Sequence, residues 1–581
     1  GTLSAIIFVL PGLVIVGWWT GFPFWQSFLI CVSGGVLGVL FTIPLRRALV
    51  TTSDLPYPEG VAAAEVLKVG SGTRGELGDD AGESKEGLRA VVLGAVASGG
   101  LAVIAATRIA SAELAGFFRL GATASSGYSV AWSLALLGAG HLVGLSVGMA
   151  MLTGLIIAWG VAVPWLTSIT PIAEGVELAA HTGVIWSRQV RFIGAGAIAV
   201  AAIYTLARLT KPVVGGLITT LTPSRSTAAV PDTERDISPP WIIGLTAICV
   251  AIAAWLAWSF ASSTVLASSA LALTLVAAPL VLVVGFVIAG ICGYMAGLIG
   301  ASNSPISGVG ILSIVACASL VAMVVPATAE SSPALVAFAL FVTSIIFACA
   351  TISNDNLQDL KTGQLVGASP MRQQIALIVG VIAGAAVIPF VLNLLARAYG
   401  FAGAANVGVV APNPLPAPQA TLISALAQGV IGGTLQWTMI GIGMLLGVGL
   451  ILLDSALGAM KKLRIPPLAV GLGIYLPMSA TFAVVVGALV SHWYDGRTKT
   501  MPNPQRAERL GTLVASGLIV GESLWGVLNA GLIVALSSDA PIGIVAHDFA
   551  LAPWLGILGF VGAIVWLYGW MLRRSQAVTR R

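Results

Sequence analysis

Eleven residues in the second half of the chain, S-N-D-N-L-Q-D-L-K-T-G (353–363), include six side chains that are charged or carry an amide. Their surroundings are almost uncharged: residues 333–352 contain no charged side chain, and the first one in 375–397 is Arg397. Charged residues are only 9% of the chain, so this polar density needs a physical reason. Two remain open: a short solvated loop between membrane helices, or polar groups held inside a membrane protein to meet a hydrophilic cargo.

The composition around this stretch predicts an all-α polytopic membrane protein. Hydrophobic residues make up 57% of 581 residues, and the mean hydropathy is +0.98. A soluble domain of this size would need more surface charge. The 69 glycines suit close helix packing in lipid, where small residues let backbones approach. The net charge of +5 is spread over connecting loops and indicates topology-setting Lys and Arg, not a nucleic-acid surface.

We predict no metal, no cofactor and no enzymatic activity. His181, His492 and His547 make no metal-ligand spacing with each other, and neither H-E-x-x-H nor G-x-G-D occurs. No G-x-x-x-x-G-K-[ST] motif occurs either, so ATP-driven transport would need a separate partner. The cysteines all lie in apolar runs without C-x-x-C spacing and are predicted to be small buried hydrophobes: Cys31, Cys249, Cys292, Cys317 and Cys349.

The apolar runs predict about fourteen transmembrane spans, because about 20 apolar residues cross the hydrocarbon core. These spans lie near 4–19, 25–45, 89–108, 131–160, 190–208, 241–260, 266–298, 308–326, 334–352, 375–396, 434–453, 467–490, 510–537 and 553–572. The segment 161–172 is predicted to be interfacial. Residues 1–581 form one integral membrane domain in this interpretation, with flexible solvated loops at 70–88 and 222–240. An apolar run begins almost at Gly1, so further upstream sequence is expected.

Four stretches carry the Gly, Pro and polar residues that interrupt a membrane helix: 53–67, 297–308, 353–363 and 469–479. Non-helical backbone at membrane depth is tolerated only where it is buried in protein or lines a cavity, and many transporters build their binding sites from broken helices. We therefore predict that 297–308 and 353–363 line a substrate site. The alternative for each stretch is an ordinary turn or amphipathic segment at the surface.

Isolated ionisable residues within spans are costly, so they are candidates for function. Glu522, in G-E-S-L-W-G-V (521–527), is the strongest candidate to carry a coupling proton. Glu59 follows two prolines and would lie near a helix N-terminus, where a carboxylate is favoured. His141 is the third candidate, with a simple hydrogen bond to a neighbouring helix as its alternative role.

Five of these stretches, taken together, resemble the oligopeptide transporter (OPT) family, which includes the yellow-stripe-like carriers of metal chelates. They occur in the family's order and span most of the chain: L-P-Y-P-E-G-V-A-A-A-E-V-L (55–67), G-L-I-G-A-S-N-S-P-I-S-G (297–308), S-N-D-N-L-Q-D-L-K-T-G (353–363), A-V-G-L-G-I-Y-L-P (469–477) and G-E-S-L-W-G-V (521–527). The resemblance implies a prokaryotic member with about sixteen spans. It also implies a secondary transporter, usually proton-coupled, that imports short peptides or metal chelates. The N-P-G signature of the fungal and plant peptide-transporting branch is absent.

The resulting hypothesis is a symporter of the cytoplasmic membrane that imports short oligopeptides or related compounds, with a metal-chelate carrier or a channel as alternatives. Asp355 or Asp359 would meet positive groups or the metal of the cargo, and Glu522, Glu59 or His141 the coupling proton. The remaining predicted substrate-binding residues are Ser302, Asn303, Ser304, Asn354, Asn356, Gln358 and Tyr475. Expected partners are a small polar substrate, a coupling cation and the lipid bilayer, but no nucleic acid; whether the chain forms a homodimer is left open.

Overall fold

The computed structural model describes residues 8–53, 55, 57, 59–61, 63–64, 67, 80–201, 203–204, 207, 231–299, 301, 306–405, 408–410, 414–415, 417–433, 436–461, 463–546 and 549–576. The chain divides into two compact units. The first contains Gly1–Glu76 and Ala202–Leu435, and the second contains Leu77–Ala201 and Gln436–Arg581.

The α-helices follow one another along the chain with few other elements between them. In chain order they are α1 (Pro11–Ile15), α2 (Phe24–Arg46), α3 (Asp80–Ala106), α4 (Leu134–Val143), α5 (Leu145–Leu155), α6 (Val163–Ile169), α7 (Leu178–Ile185), α8 (Pro239–Ser262), α9 (Ala270–Ile299), α10 (Ile306–Val324), α11 (Ser332–Val366), α12 (Pro370–Ala398), α13 (Pro418–Gly432), α14 (Trp437–Ala459), α15 (Pro467–Tyr475), α16 (Met478–Thr498), α17 (Pro504–Leu536) and α18 (Ala552–Gln576). Residues 191–201 are also helical.

Among the described residues there are also three π-helical segments, one β-hairpin and two short 3₁₀ turns. The π-helical segments are Arg47–Thr51, Ile156–Ala162 and Trp186–Val190, and the 3₁₀ turns are Asp232–Glu234 and Ala267–Ser269. The hairpin pairs β1 (Glu113–Leu120) with β2 (Ala124–Ala131) in antiparallel register, Glu113 opposite Ala131 and Leu120 opposite Ala124. Neither this hairpin nor α13 was predicted from the apolar runs.

The all-α polytopic membrane fold is confirmed. Within the described residues, ten helical stretches are long and apolar enough to cross a membrane, and three shorter apolar helices accompany them. The number is below fourteen partly because predicted spans are divided. The span 131–160 divides at Gly144, where φ is +81°, and 467–490 divides at Leu476, which is extended ahead of Pro477. The segment 161–172, predicted to be interfacial, instead largely continues the apolar stretch Leu145–Ile169.

Helix α11 is the central element of the first unit. Its most apolar stretch is completely buried, and helices α2, α9, α10 and α13 pack around it. Glycines permit this close packing: a Cβ on Gly34 of α2 would collide with the carbonyl oxygen of Ile345, and Gly293 and Gly310 face leucine and phenylalanine side chains of α11 in the same way. Small residues at helix contacts are the usual route to tight packing in lipid.

The stretch 353–363 does not interrupt a helix, so the prediction of a break or loop there is wrong. Helix α11 runs unbroken for 35 residues, which is about 52 Å at 1.5 Å per residue. Asn and Asp are weaker helix formers than Leu or Ala, and Gln is about equal to Leu, but none of them breaks a helix as Pro does. The helix ends only at Gly367, whose φ of +72° stops it.

Two predicted solvated loops are also more ordered than expected. Helix α3 begins at Asp80, so residues 80–88 are helical, whereas 70–79 lie outside the described residues. In 222–240, residues 222–230 lie outside the described residues, and Asp236 ties 231–238 to α2 by accepting hydrogen bonds from Arg46. The sequence pattern indicated polarity correctly, but it could not reveal a buried partner.

The second unit is built from helix pairs that approach closely at glycines. Helix α3 packs along α17, α4 packs along α16 and α17, and α5 packs along α15 and α16. Gly140 of α4 lies against the backbone of Val484, and Gly154 of α5 against that of Val470. The β-hairpin covers α16 and α6 through β2.

Candidate functional site

Three amide side chains of α11 form a buried polar band in the first unit. Asn354 and Asn356 are each 1% exposed and Gln358 is 5% exposed. Residues four apart share one helix face, so Asn354 and Gln358 point the same way while Asn356 points away from them. Each amide therefore reaches a different neighbour.

Gln358 binds two other chain segments at once. Its Nε2 donates to the carbonyl oxygen of Ala296 at 2.7 Å, and its Oε1 accepts from the backbone N–H of Gly60 at 2.8 Å. Thr362, one turn later, donates to the carbonyl oxygen of Gly60 at 2.9 Å. A Cβ on Gly60 would lie 2.6 Å from the Gln358 carbonyl oxygen, so this approach requires glycine.

Asn354 continues the same junction. Its Nδ2 donates to the carbonyl oxygen of Ala301 at 3.1 Å, and the N–H of Ala301 donates to Glu59 Oε2 at 2.5 Å. The backbone N–H of Tyr57 donates to the carbonyl oxygen of Gly297 at 2.9 Å. Residues from the predicted stretches 53–67, 297–308 and 353–363 thus meet in one place.

Two side-chain carbonyl oxygens in this band accept no hydrogen bond within the described part of the chain. Asn356 donates through Nδ2 to Thr42 Oγ1 at 2.6 Å, but its Oδ1 and the Oδ1 of Asn354 are buried and accept no hydrogen bond from any described residue. Leaving a buried acceptor unpaired costs about 1–3 kcal/mol. These oxygens could accept hydrogen bonds from a ligand that carries N–H or O–H groups.

The charged residues of the stretch have different surroundings. Asp359 is exposed and Asp355 is half-buried. Lys361 Nζ donates to the carbonyl oxygen of Val50 at 3.5 Å and to Gln364 Oε1 at 3.0 Å. Lys361 therefore ties α11 to the π-helical segment after α2, and the amides remain the better candidates for ligand contact.

Glu522 is part of α17, and its carboxylate lies beside the N-terminus of α4, another helix of the second unit. Its Oε1 accepts from Ser133 Oγ at 2.7 Å, and its Oε2 accepts from the N–H of Ala135 at 2.9 Å. Ser133 is also the N-cap of α4, because its Oγ accepts from the N–H of Leu136. A carboxylate at this position is favoured by the positive end of the helix dipole, so Glu522 of α17 holds the start of α4.

His141 lies in a buried aromatic cluster of the second unit. Its Nδ1 and the hydroxyl of Tyr568 share a hydrogen bond of 2.8 Å, and its ring lies 6.1 Å from that of Tyr494. Ser491 Oγ donates to the His141 carbonyl oxygen at 3.1 Å. The hydrogen bond to Tyr568 of α18 is of the kind given above as the alternative to a coupling role, a simple hydrogen bond to a neighbouring helix.

Tyr475 ends α15 and is 3% exposed. Its hydroxyl accepts a hydrogen bond from Arg191 Nη2 at 2.7 Å, and the guanidinium carbon of Arg191 lies 4.4 Å from the centre of its ring. Tyr475 is thus paired with a cation at the point where the predicted span 467–490 divides.

The sequence pattern of the family described as "OPT oligopeptide transporter protein" matches residues 1–533. A Haemophilus influenzae protein named "Putative oligopeptide transporter" is 41% identical over 99% of this chain and 93% of its own length. The chain belongs to the OPT family. An Arabidopsis thaliana "Probable metal-nicotianamine transporter" is a more distant relative of this OPT protein, 27% identical over 32% of this chain and 25% of its own. No solved structure matches the chain.

The structure of the OPT protein separates the predicted site residues into three groups. Asn354, Gln358 and Glu59 belong to the junction in the first unit and Asn356 to the other side of α11, whereas Tyr475, Glu522 and His141 belong to the second unit. Ser302, Asn303 and Ser304 lie outside the described residues. The substrate-binding and proton-coupling roles of all of them stay predictions.

Two arginines with unusual surroundings were not singled out from the sequence. Arg46 is 2% exposed and makes a bidentate pair with Asp236, at 2.7 and 2.9 Å. Arg191 lies between two aromatic rings, those of Trp186 and Tyr475. Both follow or begin apolar runs, where a basic residue ordinarily marks a membrane boundary, so the sequence contains no local signal for their burial.

Proposed function

We propose that this OPT protein is a proton-coupled symporter that imports short oligopeptides, or related peptide-like compounds, across the cytoplasmic membrane. Its membership of a transporter family and its similarity to the Haemophilus influenzae protein support this class of function. The substrate, the coupling ion and the direction are our own inference from the residues.

The observation that carries the proposal is the pair of unpaired amide oxygens on α11. Asn354 and Asn356 each present a buried Oδ1 that accepts no hydrogen bond from a described residue. Peptides carry N–H donors along their whole length, and such a donor would satisfy the Oδ1 of Asn354 or, on the other side of α11, that of Asn356. Because the surrounding helices are apolar, each new hydrogen bond would form in a low dielectric, where it is stronger than in water. Such bonds would favour a polar cargo over an apolar one of the same size.

Metal chelates are the second candidate substrate. The support is the set of distant relatives named as metal-nicotianamine transporters, including the one from Arabidopsis thaliana. In a chelate, the amine and hydroxyl groups of the organic ligand would donate to the same amide oxygens. The exposed carboxylate of Asp359 and the half-buried one of Asp355 would then attract the metal.

Glu522 is the residue that we propose for proton coupling. Its carboxylate accepts hydrogen bonds from Ser133 and Ala135 at the start of α4. Protonation removes the negative charge from the helix N-terminus and replaces one acceptor with a donor, so the contact between α17 and α4 weakens. Proton binding would in this way release α4. Glu59, which accepts from the N–H of Ala301, and His141 remain the other candidates.

The deciding experiment is uptake by the full chain in proteoliposomes, with labelled tri-alanine and nickel–nicotianamine as probes. We expect saturable uptake of tri-alanine that increases when the outside is made acidic relative to the inside. Uptake of nickel–nicotianamine without tri-alanine would favour the second candidate. Flux that grows linearly with concentration and ignores the pH gradient would contradict a symporter and indicate a channel.

Asn354→Ser tests the substrate site, with Asn393→Ser as its matched control. Asn393 uses both amide atoms on the backbone of Phe22, at 2.8 and 2.7 Å, so its role is structural. We expect Asn354→Ser to raise KM by roughly 2- to 10-fold, the worth of one hydrogen bond. Asn393→Ser should lower thermal stability and leave KM unchanged. Equal effects of both variants on KM would remove Asn354 from the site.

A further inference from the structure

An aromatic and cationic cluster in the second unit has no place in the mechanism above. The rings of Trp159 and Trp186 stack with centres 5.9 Å apart and planes 27° apart. The guanidinium carbon of Arg191 lies 5.2 Å from the centre of the Trp186 ring and 4.4 Å from that of Tyr475. The Arg191 guanidinium is therefore close to the rings of both Trp186 and Tyr475, and Trp159 extends the cluster by stacking on Trp186.

This cluster presents hydrogen-bond donors without acceptors. The Nε1 atoms of Trp159 and Trp186 and the Nε of Arg191 are all buried, and no described residue accepts a hydrogen bond from them. None of the ion pairs among the described residues involves Arg191. Its Nη2 donates to the Tyr475 hydroxyl, which is a neutral partner. A half-buried cation that has no counter-ion among the described residues is unfavourable, and an anion with acceptor oxygens would complement it.

The backbone supplies an independent observation at the same place. Trp159 lies within the π-helical segment Ile156–Ala162, and Trp186 begins the π-helical segment Trp186–Val190, which directly precedes Arg191. Turns of π-helix are rare and occur frequently at functional sites. Trp159 and Trp186, two of the three described tryptophans whose buried N–H groups lack an acceptor, are therefore carried by backbone of the kind associated with binding.

We propose that Arg191, together with Trp159 and Trp186, binds a carboxylate group of the molecule that this protein transports. A planar guanidinium matches a carboxylate in shape and can bind both of its oxygens, and one positive charge balances one negative charge. The indole N–H groups add neutral donors that a carboxylate can use. This inference rests on the proposed function, since it takes the ligand to be the cargo.

The test measures proteoliposome uptake of each compound and of its amide, in which an uncharged carboxamide replaces the carboxylate. The pairs are tri-alanine with tri-alanine amide and, for the chelate class, nickel–histidine with nickel–histidinamide. In the wild type, the KM of the acid should be lower than that of the amide by roughly 10- to 100-fold, as expected for a charge-assisted hydrogen bond. Arg191→Met should bring the two KM values together. Arg188→Met, a change at an exposed arginine three residues earlier, should leave the preference intact.

A purely structural arginine would behave differently in a second measurement. Arg191→Met replaces a cation that lacks a counter-ion with an apolar side chain, so the ligand-free variant should melt no lower than the wild type. A variant that melts well below the wild type and loses uptake of acid and amide in parallel would contradict the inference. If Arg191→Met fails to fold, Arg191→Lys decides: it keeps the charge without the planar fork, and an undiminished preference for the acid would contradict carboxylate recognition by the guanidinium.

The remaining outcomes separate this inference from the proposed function. Uptake by the wild type with equal KM for acid and amide would overturn the carboxylate site and leave the transporter assignment standing. A further measurement adds vesicles of phosphatidylglycerol. If they raise the melting temperature of the wild type but not of Arg191→Met, and uptake shows no preference for the acid, Arg191 binds a lipid headgroup and the inference is overturned. Absence of uptake for every probe would contradict the proposed function itself.

Discussion

The buried ion pair between Arg46 and Asp236 should be among the most sensitive points of the first unit. Arg46 Nε and Nη2 donate to the two carboxylate oxygens of Asp236 at 2.7 and 2.9 Å, and Arg46 Nη1 donates to Thr51 Oγ1 at 3.1 Å. Glu234 accepts a weaker contact at 3.3 Å, and Gln374 Nε2 donates to Asp236 at 2.6 Å. Replacing Asp236 by Leu therefore leaves a guanidinium that is 2% exposed with Glu234, at 3.3 Å, as its one carboxylate partner among the described residues.

The expected loss of unfolding free energy depends on which charged groups stay buried after each substitution. Removing one partner of a buried ion pair costs about 3–5 kcal/mol, because the other charge is left without compensation. Since Glu234 remains and is one-third exposed, we expect Asp236→Leu to cost about 3 kcal/mol of unfolding free energy, the lower end of that range. The double variant Arg46→Met/Asp236→Leu removes both charges and should lie within about 1–2 kcal/mol of the wild type.

The assay is a double-mutant cycle on the purified full chain, with unfolding free energies from titration of mild-detergent micelles with dodecyl sulfate. The two single variants and the double variant give the coupling energy directly, which we expect to exceed about 1 kcal/mol. Additive losses, with the double variant less stable than either single variant, would refute the account of the pair as a compensated buried charge. Asp236→Leu should lower the rate of uptake as well as the stability. Arg46 directly precedes the π-helical segment Arg47–Thr51, whose carbonyl oxygens accept hydrogen bonds from Tyr57 and Lys361.

Two further predictions concern the second unit. Gly140→Ala should lower the free energy of unfolding by about 1–3 kcal/mol, because the new Cβ meets the backbone of Val484. Gly441→Ala, at a position that faces open space, should be neutral or slightly stabilising in the same detergent titration. Equal effects of the two variants would exclude close packing as the reason for Gly140. Glu522→Gln should abolish the dependence of proteoliposome uptake on the pH gradient while the exposed Glu508→Gln retains it, and a gradient response that survives Glu522→Gln would rule out Glu522 as the coupling residue.

The membrane character and the location of most helices could be read from residues alone. An apolar run of about 20 residues is dictated by the thickness of the bilayer, so it is a local signal that needs no knowledge of contacts. The concentration of amides and charges at 353–363 was equally visible, and it lies in α11, the helix around which the first unit packs. The predicted break at that point was wrong because polarity and helix breaking are separate properties, and only Gly367 stops α11.

The partners of those polar groups depend on packing between distant parts of the chain. Gln358 accepts from Gly60, 298 residues away, and Arg46 donates to Asp236, 190 residues away. Likewise, Arg191 looked like an ordinary boundary charge until its position between the rings of Trp186 and Tyr475 was known. Hydropathy and spacing report each residue's local preference, whereas the pairing of buried donors and acceptors is a property of surfaces brought together from separate helices. For this reason the sequence predicts a helical membrane transporter with a cluster of polar residues, and only the folded arrangement distinguishes the amides that bond to other segments from the buried amide oxygens that accept no hydrogen bond from a described residue.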